Sequence, residues 1–348
     1  ELNDLFLSSR NLDEIEFLEK IFDYFNISYS LTSKDRQRIP ATGRVIIVAN
    51  NPLGCLDGLI LLKMVKEIRP DVKILSNEVF SNIPHIRNSL ISVNTSYSVG
   101  KITRKNLIEP IDALKNEQAV IVFPAGIVSC FHWKGILDRE WKKGFLRMAK
   151  KTSSPIIPIY IDGKNSFLFY SLASMNNAVG SFLSINEIFK NKGQEINIKI
   201  GKQIPYIEIM KNCRNHKEAA NLIKNHVYSL SKKLKHHSKI TFKTLESIVA
   251  PNDLRQVYKE IKNSKLLGKI TDKKFVYLFQ SSANSFLMKE IGRLREVAFR
   301  LVNEGTGKKI DLDTYDQYYQ HIILWEKEEL EIMGSYRVGD SSVILAEK

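Results

Sequence analysis

The pattern of apolar and polar positions changes sharply between residues 45 and 62, and this stretch organises the first half of the chain. A β-branched apolar run, Val45–Val48, is typical of a buried strand. The run stops at Asn50, Asn51 and Pro52, turns through Gly54, and apolar residues resume after Asp57. The pattern predicts a strand, a tight loop and a helix. Such a loop can expose a catalytic pair, here Asn51 and Asp57, or it can be a structural turn with Asp57 as the helix N-cap.

The same alternation of short apolar runs and amphipathic stretches continues to about residue 235. Strands are predicted at 72–75, 90–93, 119–123, 156–161 and 195–201, and helices at 11–26, 58–68, 102–116, 141–151 and 217–235. Strands alternating with helices at this interval predict an α/β fold with a mostly parallel central sheet flanked by helices. Pro110 is expected to kink or break its helix.

A change of charge and a loss of periodicity coincide at residues 236–239 and predict a domain boundary. The chain is therefore divided into domains 1–237 and 238–348. The second region carries predicted helices and strands of mixed order, which favours a partial α+β domain. Its helices are predicted at 249–263 and 286–302 and its strands at 275–279, 321–325 and 331–338.

Composition narrows the class of protein. The 348 residues are 43% hydrophobic, enough to bury one or two cores. The three cysteines show no paired spacing, which argues against a disulfide framework and a metal site and favours a reducing compartment. No apolar run reaches the length of a membrane-spanning helix. The first residue is Glu, so the start of the natural chain is expected to be missing.

The net charge of +14 is concentrated in residues 201–300, whereas residues 301–348 are acidic. A basic region can attract an anionic membrane surface, an acidic acyl carrier protein or nucleic acid, or it can simply be a solvated surface. No nucleic-acid partner is expected, because no recognition module is present. Residues 165–189 are rich in aromatic residues and almost uncharged, which favours either a lipid-contacting surface or a buried helical hairpin.

Four blocks in order resemble one family. Asn50–Gly58 (NNPLGCLDG) resembles the NHPxGxxDG block of PlsC-like glycerolipid acyltransferases of the hemolysin-like bacterial branch, and Phe123–Ser129 (FPAGIVS) resembles that branch's FPAGEVS block. Residues 134–141 and 155–158 follow at matching intervals. The resemblance covers about residues 11–235. It implies a glycerol-3-phosphate acyltransferase-like fold with no bound cofactor, an acyl-CoA or acyl-ACP donor, a lipid acceptor and a cytoplasmic location on the inner face of the membrane.

In that family, the histidine of the first block is a general base paired with the aspartate, so the resemblance assigns catalysis to the positions of Asn51 and Asp57. An amide cannot accept a proton at neutral pH, and loss of a general base lowers the rate by about 10²–10⁴-fold. The resemblance also assigns substrate binding to the second block. Its residues here are Pro124, Ala125, Gly126, Ile127, Val128 and Ser129.

Two further departures accompany Asn51: Ile127 stands where this branch has Glu, and Cys130 where it has Arg. His85 and His132 are expected to be structural rather than substitutes for the missing base. We therefore expect the first domain to keep the fold and to be weak or inactive as an O-acyltransferase.

The second region resembles the opening of a GNAT-like N-acyltransferase domain of aminolipid synthesis. The resemblance rests on residues 287–296, 299–300, 304–307, 311–313 and 315–316. It makes Arg293, Arg295 and Glu296 candidate site residues, although these could equally be a solvated helix face with i,i+3 pairs. No glycine-containing donor loop lies between Gly339 and Lys348, so this domain is expected to be truncated.

Three functions remain open from the sequence. The first is an acyltransferase of membrane-lipid synthesis that acts on the hydroxyl of a lysophospholipid or lyso-aminolipid. The second is an inactive acyltransferase-like scaffold that binds lipid or acyl carrier protein for the N-acyltransferase half. The third, which rests on charge alone, is a basic nucleic-acid-binding protein.

Overall fold

The computed structural model divides the chain into two compact units, Glu1–Leu245 and Glu246–Lys348. It describes residues 9, 11–76, 83–92, 107–132, 135–175, 187, 192–231, 242–281, 284–302 and 304–339. The predicted boundary at residues 236–239 lies outside the described residues and stays a prediction.

The first unit contains a central sheet covered by helices. Its strands are β1 (Ser28–Ser30), β2 (Val45–Ala49), β3 (Val72–Ser76), β4 (Leu90–Ser92), β5 (Ala119–Val122), β6 (Cys130–His132), β7 (Gly135–Leu137), β8 (Ile156–Asp162) and β9 (Glu195–Ile200). Its helices are α1 (Glu14–Tyr24), α2 (Ser33–Arg36), α3 (Cys55–Lys66), α4 (Ile108–Lys115), α5 (Gly144–Thr152), α6 (Phe167–Met175), α7 (Tyr206–Met210) and α8 (His216–Ser229), with a 3₁₀ helix at Pro84–Ser89.

Seven of these strands form one sheet in the order β1-β9-β8-β2-β5-β3-β4. Every neighbouring pair is parallel except β8 and β9. All five residues of β2 are buried, because this central strand has a strand on each side and a hydrophobic core on each face. The predicted mostly parallel α/β sheet is confirmed. It places the carboxyl ends of β2, β5 and β8 side by side, where open α/β sheets bind ligands.

Several predicted helices begin at other residues. The helix after β2 begins at Cys55 rather than 58, because Gly54 at φ 73° turns the chain three residues earlier than the apolar run indicates. Of the predicted helix 102–116, residues 102–106 lie outside the described part, and the helix runs over Ile108–Lys115. Pro110 does not kink it, because it stands in the first turn, where its missing N–H has no intrahelical partner to lose.

In the described part of the stretch 165–189, some apolar side chains are buried, as in a buried hairpin, and others are exposed, as on a lipid-contacting surface. In α6, Phe169 and Tyr170 are buried, whereas Phe167 and Leu168 are 70% and 61% exposed. The Tyr170 hydroxyl donates to the Pro52 carbonyl at 2.8 Å, which fixes α6 against the loop after β2. Of residues 176–189, only 187 is among the described residues.

The second unit is a four-stranded antiparallel sheet with helices. Its elements are α9 (Leu254–Lys262), β10 (Lys265–Lys269), β11 (Lys274–Gln280), α10 (Phe286–Leu301), a 3₁₀ helix at Thr314–Gln317, β12 (Gln320–Glu326) and β13 (Glu331–Val338), with sheet order β10-β11-β12-β13. The mixed pattern predicted this α+β unit, but not β10. All five β10 residues are exposed, so the strand has no apolar alternation to reveal it.

No helix in the described residues is both long and apolar enough to cross a membrane.

A buried arginine holds the amino ends of three strands together. The Arg69 guanidinium is 1% exposed and pairs with both carboxylate oxygens of Asp71 at 2.7 Å. It also donates to three main-chain carbonyls, which precede β2 and β5: Pro40, Gly43 and Glu117. Loss of the guanidinium would leave the buried Pro40 carbonyl without a donor and weaken the contacts of the other, partly buried acceptors, so this side chain holds the structure through hydrogen bonds as well as through its charge.

We therefore expect Arg69→Leu to lower the free energy of unfolding by about 3 kcal/mol or more, measured by urea denaturation. Arg36→Leu is the matched control, since Arg36 makes an exposed ion pair with Glu67 and its loss costs less than about 1 kcal/mol. Equal effects of the two substitutions would contradict this assignment.

Candidate active site at the carboxyl end of the central strand

The first residue after β2, Asn50, extends the sheet with its side chain. Its Nδ2 donates to the Ile161 carbonyl at 2.9 Å, and its Oδ1 accepts from the Ile161 N–H at 2.7 Å. The amide thus replaces one backbone pair between β2 and β8. This contact fixes where the next residue, Asn51, leaves the sheet.

Asp57 holds the loop from the first turn of α3. One carboxylate oxygen, Oδ2, accepts from the N–H groups of Leu53 at 2.7 Å and Gly54 at 3.0 Å. The helix N-cap is Gly54, so the expectation that Asp57 is itself the cap is wrong; it stands at the third helical position and binds back to the start of the helix. The other oxygen, Oδ1, is buried and has no hydrogen-bond partner among the described residues.

Asn51 lies between the two predicted loops and contacts both through its backbone. Its carbonyl accepts from the Ser129 N–H at 2.8 Å, and its N–H donates to Asp138 Oδ1 at 3.2 Å. The residue is 9% exposed, and its side-chain Oδ1 is a second buried oxygen without a partner in the described structure. The structure therefore brings the loop after β2 and the 123–129 loop to the same edge of the sheet.

Asp138 connects these segments. Besides the Asn51 N–H, its carboxylate accepts from the Ser129 hydroxyl at 2.5 Å and from Trp141 Nε1 at 2.7 Å. Its own N–H donates to the Tyr228 hydroxyl at 2.7 Å, and Lys224 Nζ donates to its carbonyl at 2.6 Å. The sequence reasoning did not name Asp138 as a site residue, although it stands in the third block of the family resemblance.

The 123–129 loop is shaped by a glycine. Gly126 adopts φ 71°, a left-handed backbone conformation that strains residues with a Cβ and favours glycine. The backbone N–H groups of Gly126 and Ser129 bind within the protein, to Phe123 and Asn51. In the part of the chain that the structure describes, the N–H groups of Ile127 and Val128 make no hydrogen bond, which leaves two donors free for an anionic or carbonyl oxygen.

Burial controls protonation in this cluster. It raises the pKa of Asp57 well above its usual value; the Leu53 and Gly54 N–H groups oppose that rise, and the charge of Asp138 adds to it. Burial likewise raises the pKa of Asp138. The pKa of the Cys55 thiol is raised to about 12 by burial and by Asp57, so this cysteine is not a nucleophile at neutral pH.

His85 does not supply the missing base. It stacks on Phe17 with ring centroids 4.0 Å apart, and its Nε2 lies 2.8 Å from the Ser9 carbonyl. His132 is exposed on β6. The side-chain oxygen of Asn51 can accept a hydrogen bond from a bound group, but it cannot take that group's proton.

The three candidates of the second unit are each held in a separate contact. Arg293 pairs with Glu290 at 2.6 Å, and Arg295 pairs with Asp316 at 2.9 Å. Glu296 is fully buried and accepts from Arg300, from Thr306 and from the Gly307 N–H. Burial alone would raise the pKa of Glu296, but the hydrogen bonds from Thr306 and Arg300 outweigh it and lower that pKa. The expected i,i+3 pair is present between Glu290 and Arg293, although these side chains are mostly buried rather than solvated, and a catalytic role for the three candidates stays a prediction.

The raised pKa of Asp57 makes stability depend on pH. The folded protein retains a proton at Asp57 at pH values where the unfolded chain, with a pKa near 3.8, has released it. This group therefore makes the free energy of unfolding fall as the pH rises from about 4 toward the raised pKa. Asp57→Asn keeps an acceptor for Leu53 and Gly54 but removes the titration. Between pH 5 and 8, we expect the free energy of unfolding to fall by at least about 1 kcal/mol less in the variant than in the wild type, measured by urea unfolding.

Asp138 stays in both proteins, so part of the slope remains in the variant. Identical slopes for the two proteins would show that Asp57 is already ionised in the folded state.

Comparison with known proteins agrees with this architecture. A profile of an acyltransferase family matches residues 1–236, and a profile of the acetyltransferase (GNAT) domain matches residues 294–348. The lyso-glycine lipid O-acyltransferase of Phocaeicola vulgatus is 29% identical over 237 residues, which cover 66% of this chain and 83% of that protein. The glycine N(alpha)-acyltransferase of the same organism is 40% identical over 104 residues, 28% of this chain and 31% of that protein.

A solved structure, the lysophosphatidate acyltransferase PlsC of Thermotoga maritima, matches with a TM-score of 0.37 and 21% identity, over 62% of this chain and 80% of that one. The family matches confirm both resemblances: the chain belongs to the acyltransferase family through residues 1–236 and carries a GNAT segment toward its C-terminal end.

Proposed function

We propose that the first unit binds an acyl thioester and a lyso-aminolipid and transfers the acyl chain to the lipid hydroxyl, with low turnover because Asn51 occupies the position of the general base. One observation carries the proposal: the loop after β2 and the 123–129 loop meet through the Ser129–Asn51 hydrogen bond, while Asn51 Oδ1 and Asp57 Oδ1 remain without partners. These contacts support a reaction site at this edge of the sheet, and Asn51 provides no proton acceptor there.

The arrangement supports binding better than proton transfer. A hydroxyl that attacks a thioester carbonyl forms a new C–O bond, expels the thiolate and must lose its proton. Asn51 Oδ1 can accept a hydrogen bond from that hydroxyl and orient it. The free N–H groups of Ile127 and Val128 are suited to the developing oxyanion or to an anionic head group. Removal of the proton is the step that the amide leaves without assistance.

The relatives favour an aminolipid over a phospholipid as the acceptor. The two matched enzymes are named for acylation of lyso-glycine lipid at oxygen and of glycine at nitrogen. This chain joins a segment similar to each of them in one polypeptide. The chain spans about a third of the N-acyltransferase. This relative therefore supports only the class of lipid acceptor in the proposal, and we do not propose that this chain acylates nitrogen.

A second candidate function follows from Asn51 itself. If turnover is absent, the retained contacts fit an acyltransferase-like scaffold that binds lipid or acyl carrier protein for the N-acyltransferase half. The two functions differ in one measurable property, the rate of acyl transfer.

We also propose that the first unit touches an anionic membrane surface through apolar side chains beside the site. Phe131 of β6 and Phe167 of α6 pack edge to face with centroids 5.6 Å apart, although they are 58% and 70% exposed. Leu168 adds a third exposed apolar side chain. β6 begins immediately after the 123–129 loop, so insertion of this patch would bring the site to the lipid.

Asn51→His tests the enzymatic proposal. We expect it to raise acyl transfer from an acyl thioester to lyso-glycine lipid by about 10²–10⁴-fold, because an imidazole accepts the hydroxyl proton. Turnover is measured with a radiolabelled acyl group by thin-layer chromatography of the lipid product.

Asn51→Gln is the matched control, since it changes the side chain without adding a base and should not raise the rate. No transfer by Asn51→His, with folding intact, would rule out the O-acyltransferase assignment and leave the scaffold. A wild-type rate equal to that of Asn51→His would show that the site needs no imidazole.

The membrane proposal is tested by flotation with vesicles containing anionic lipid. We expect Phe167→Ser together with Leu168→Ser to lower the bound fraction several-fold, because apolar area no longer enters the interface. Ile207→Ser is the control, since Ile207 is 56% exposed on α7. Equal loss in control and variant would contradict the assignment of this patch.

A further inference from the structure

A groove separate from the candidate active site runs between α4, α5 and the start of α8. Its volume is about 710 Å³, within the range of ligand and peptide sites. Its apolar side contains Leu107 and Ile111, which are buried, and Ile108, which is 59% exposed. None of the residues that line it belongs to the cluster around Asn51 and Asp138.

The opposite wall carries cations that the protein does not neutralise. Arg147, Lys150 and Lys151 line the groove, and their side chains make no salt bridge or hydrogen bond within the described residues. Asp112, an acidic residue of the lining, lies 4.0 Å from Lys115, which is also in the groove. The groove therefore combines an apolar floor with an excess of positive charge.

The pKa of a neighbouring histidine reflects the same positive electrostatic potential. His216 lines the groove and hydrogen-bonds to the Tyr206 hydroxyl at 2.8 Å. Burial lowers the pKa of His216, and the charges of Lys150, Arg147 and Lys143 lower it further. Positive charge thus already disfavours a further cation here, so an anionic partner would relieve the repulsion.

The spacing of the cations distinguishes the kinds of anion that fit. Arg147, Lys150 and Lys151 follow one another at helical spacing along one face of α5, over about 6 Å at 1.5 Å per residue, and Lys143 is the residue just before this helix. A single phosphate is bound by donors that converge on one point. A row of cations beside a concave apolar floor instead matches an amphipathic helix whose polar face is acidic.

We propose that this groove docks an acidic amphipathic helix of the acyl carrier protein that delivers the acyl donor. The proposal rests on the proposed function for its choice of partner. It places the docking surface mainly on α4 and α5, rather than on the basic residues 201–300. The groove wall is also connected to the active site, because the Lys142 N–H, two residues before α5, donates to the Pro124 carbonyl of the substrate loop at 2.9 Å.

The test measures binding of an acylated bacterial acyl carrier protein to the full chain by isothermal titration calorimetry at low salt. We expect Arg147→Glu together with Lys150→Glu to raise the dissociation constant by at least about tenfold, because two attractions become repulsions. Lys34→Glu together with Lys243→Glu makes the same change in net charge at exposed positions outside the groove lining and should change it by less than about twofold. Ile108→Asn, at an exposed position, should weaken binding about threefold through the apolar floor.

The proposal is overturned if the carrier protein does not bind, or if the control pair weakens binding as much as the groove pair does. It is also overturned if the groove pair binds the carrier protein normally but no longer binds acyl-CoA or anionic vesicles. Melting temperatures of the variants check that they remain folded. Because binding is measured without turnover, an inactive Asn51→His protein that still shows the groove pattern would contradict the proposed reaction and not the docking site.

Discussion

The arrangement of the candidate site depends on one buried carboxylate. Asp138 accepts hydrogen bonds from the Asn51 backbone, the Ser129 hydroxyl and the Trp141 indole, and so ties the loop after β2 to the segment 129–141, which is far from it in the sequence. A buried carboxylate is stable only when such donors surround it, and each donor is fixed in turn by the charge it meets. Together with the Ser129–Asn51 backbone hydrogen bond, this contact fixes the loop after β2 against the 123–129 loop.

The sheet supplies the other constraint. Parallel neighbours β2, β5 and β8 end at one edge, and the Asn50 side chain extends the pairing of β2 with β8 by one residue. Asn51 consequently leaves the sheet from a rigid position rather than from a mobile loop. The amide of Asn51 cannot accept a proton at neutral pH, whereas its backbone contacts hold the loop in place.

Structural and chemical roles are divided within single side chains at this site. One oxygen of Asp57 binds the start of α3, and the other is buried without a partner. One oxygen of Asp57 therefore has a structural role at the start of the helix, although not as its N-cap, and a catalytic role for the other oxygen stays a prediction. In the second unit, by contrast, Arg293, Arg295 and Glu296 each pair with an oppositely charged side chain.

Local patterns in the sequence determined the elements and their class. The β-branched run at Val45–Val48 and the alternation that follows specify a buried parallel strand and its helices, because burial on both faces requires continuous apolar residues. The blocks around Asn51 and Phe123 identified the family, and the amide at Asn51 predicts that proton transfer is the step affected. The exposed strand β10 and the capping of α3 by Gly54 were missed, since neither depends on an apolar pattern.

Only the tertiary structure decided which distant residues meet. Asp138, Tyr228 and Lys224 form one cluster with Asn51, although 177 positions separate the ends of this set, and no periodicity encodes such a contact. The groove of α4 and α5 likewise arises from helices that are amphipathic separately and become a charged, apolar-floored surface only when packed together. The sequence determines which chemical groups are present. Packing decides which of these groups are buried away from water and which lack a hydrogen-bond partner, and this burial sets their pKa values and reactivity.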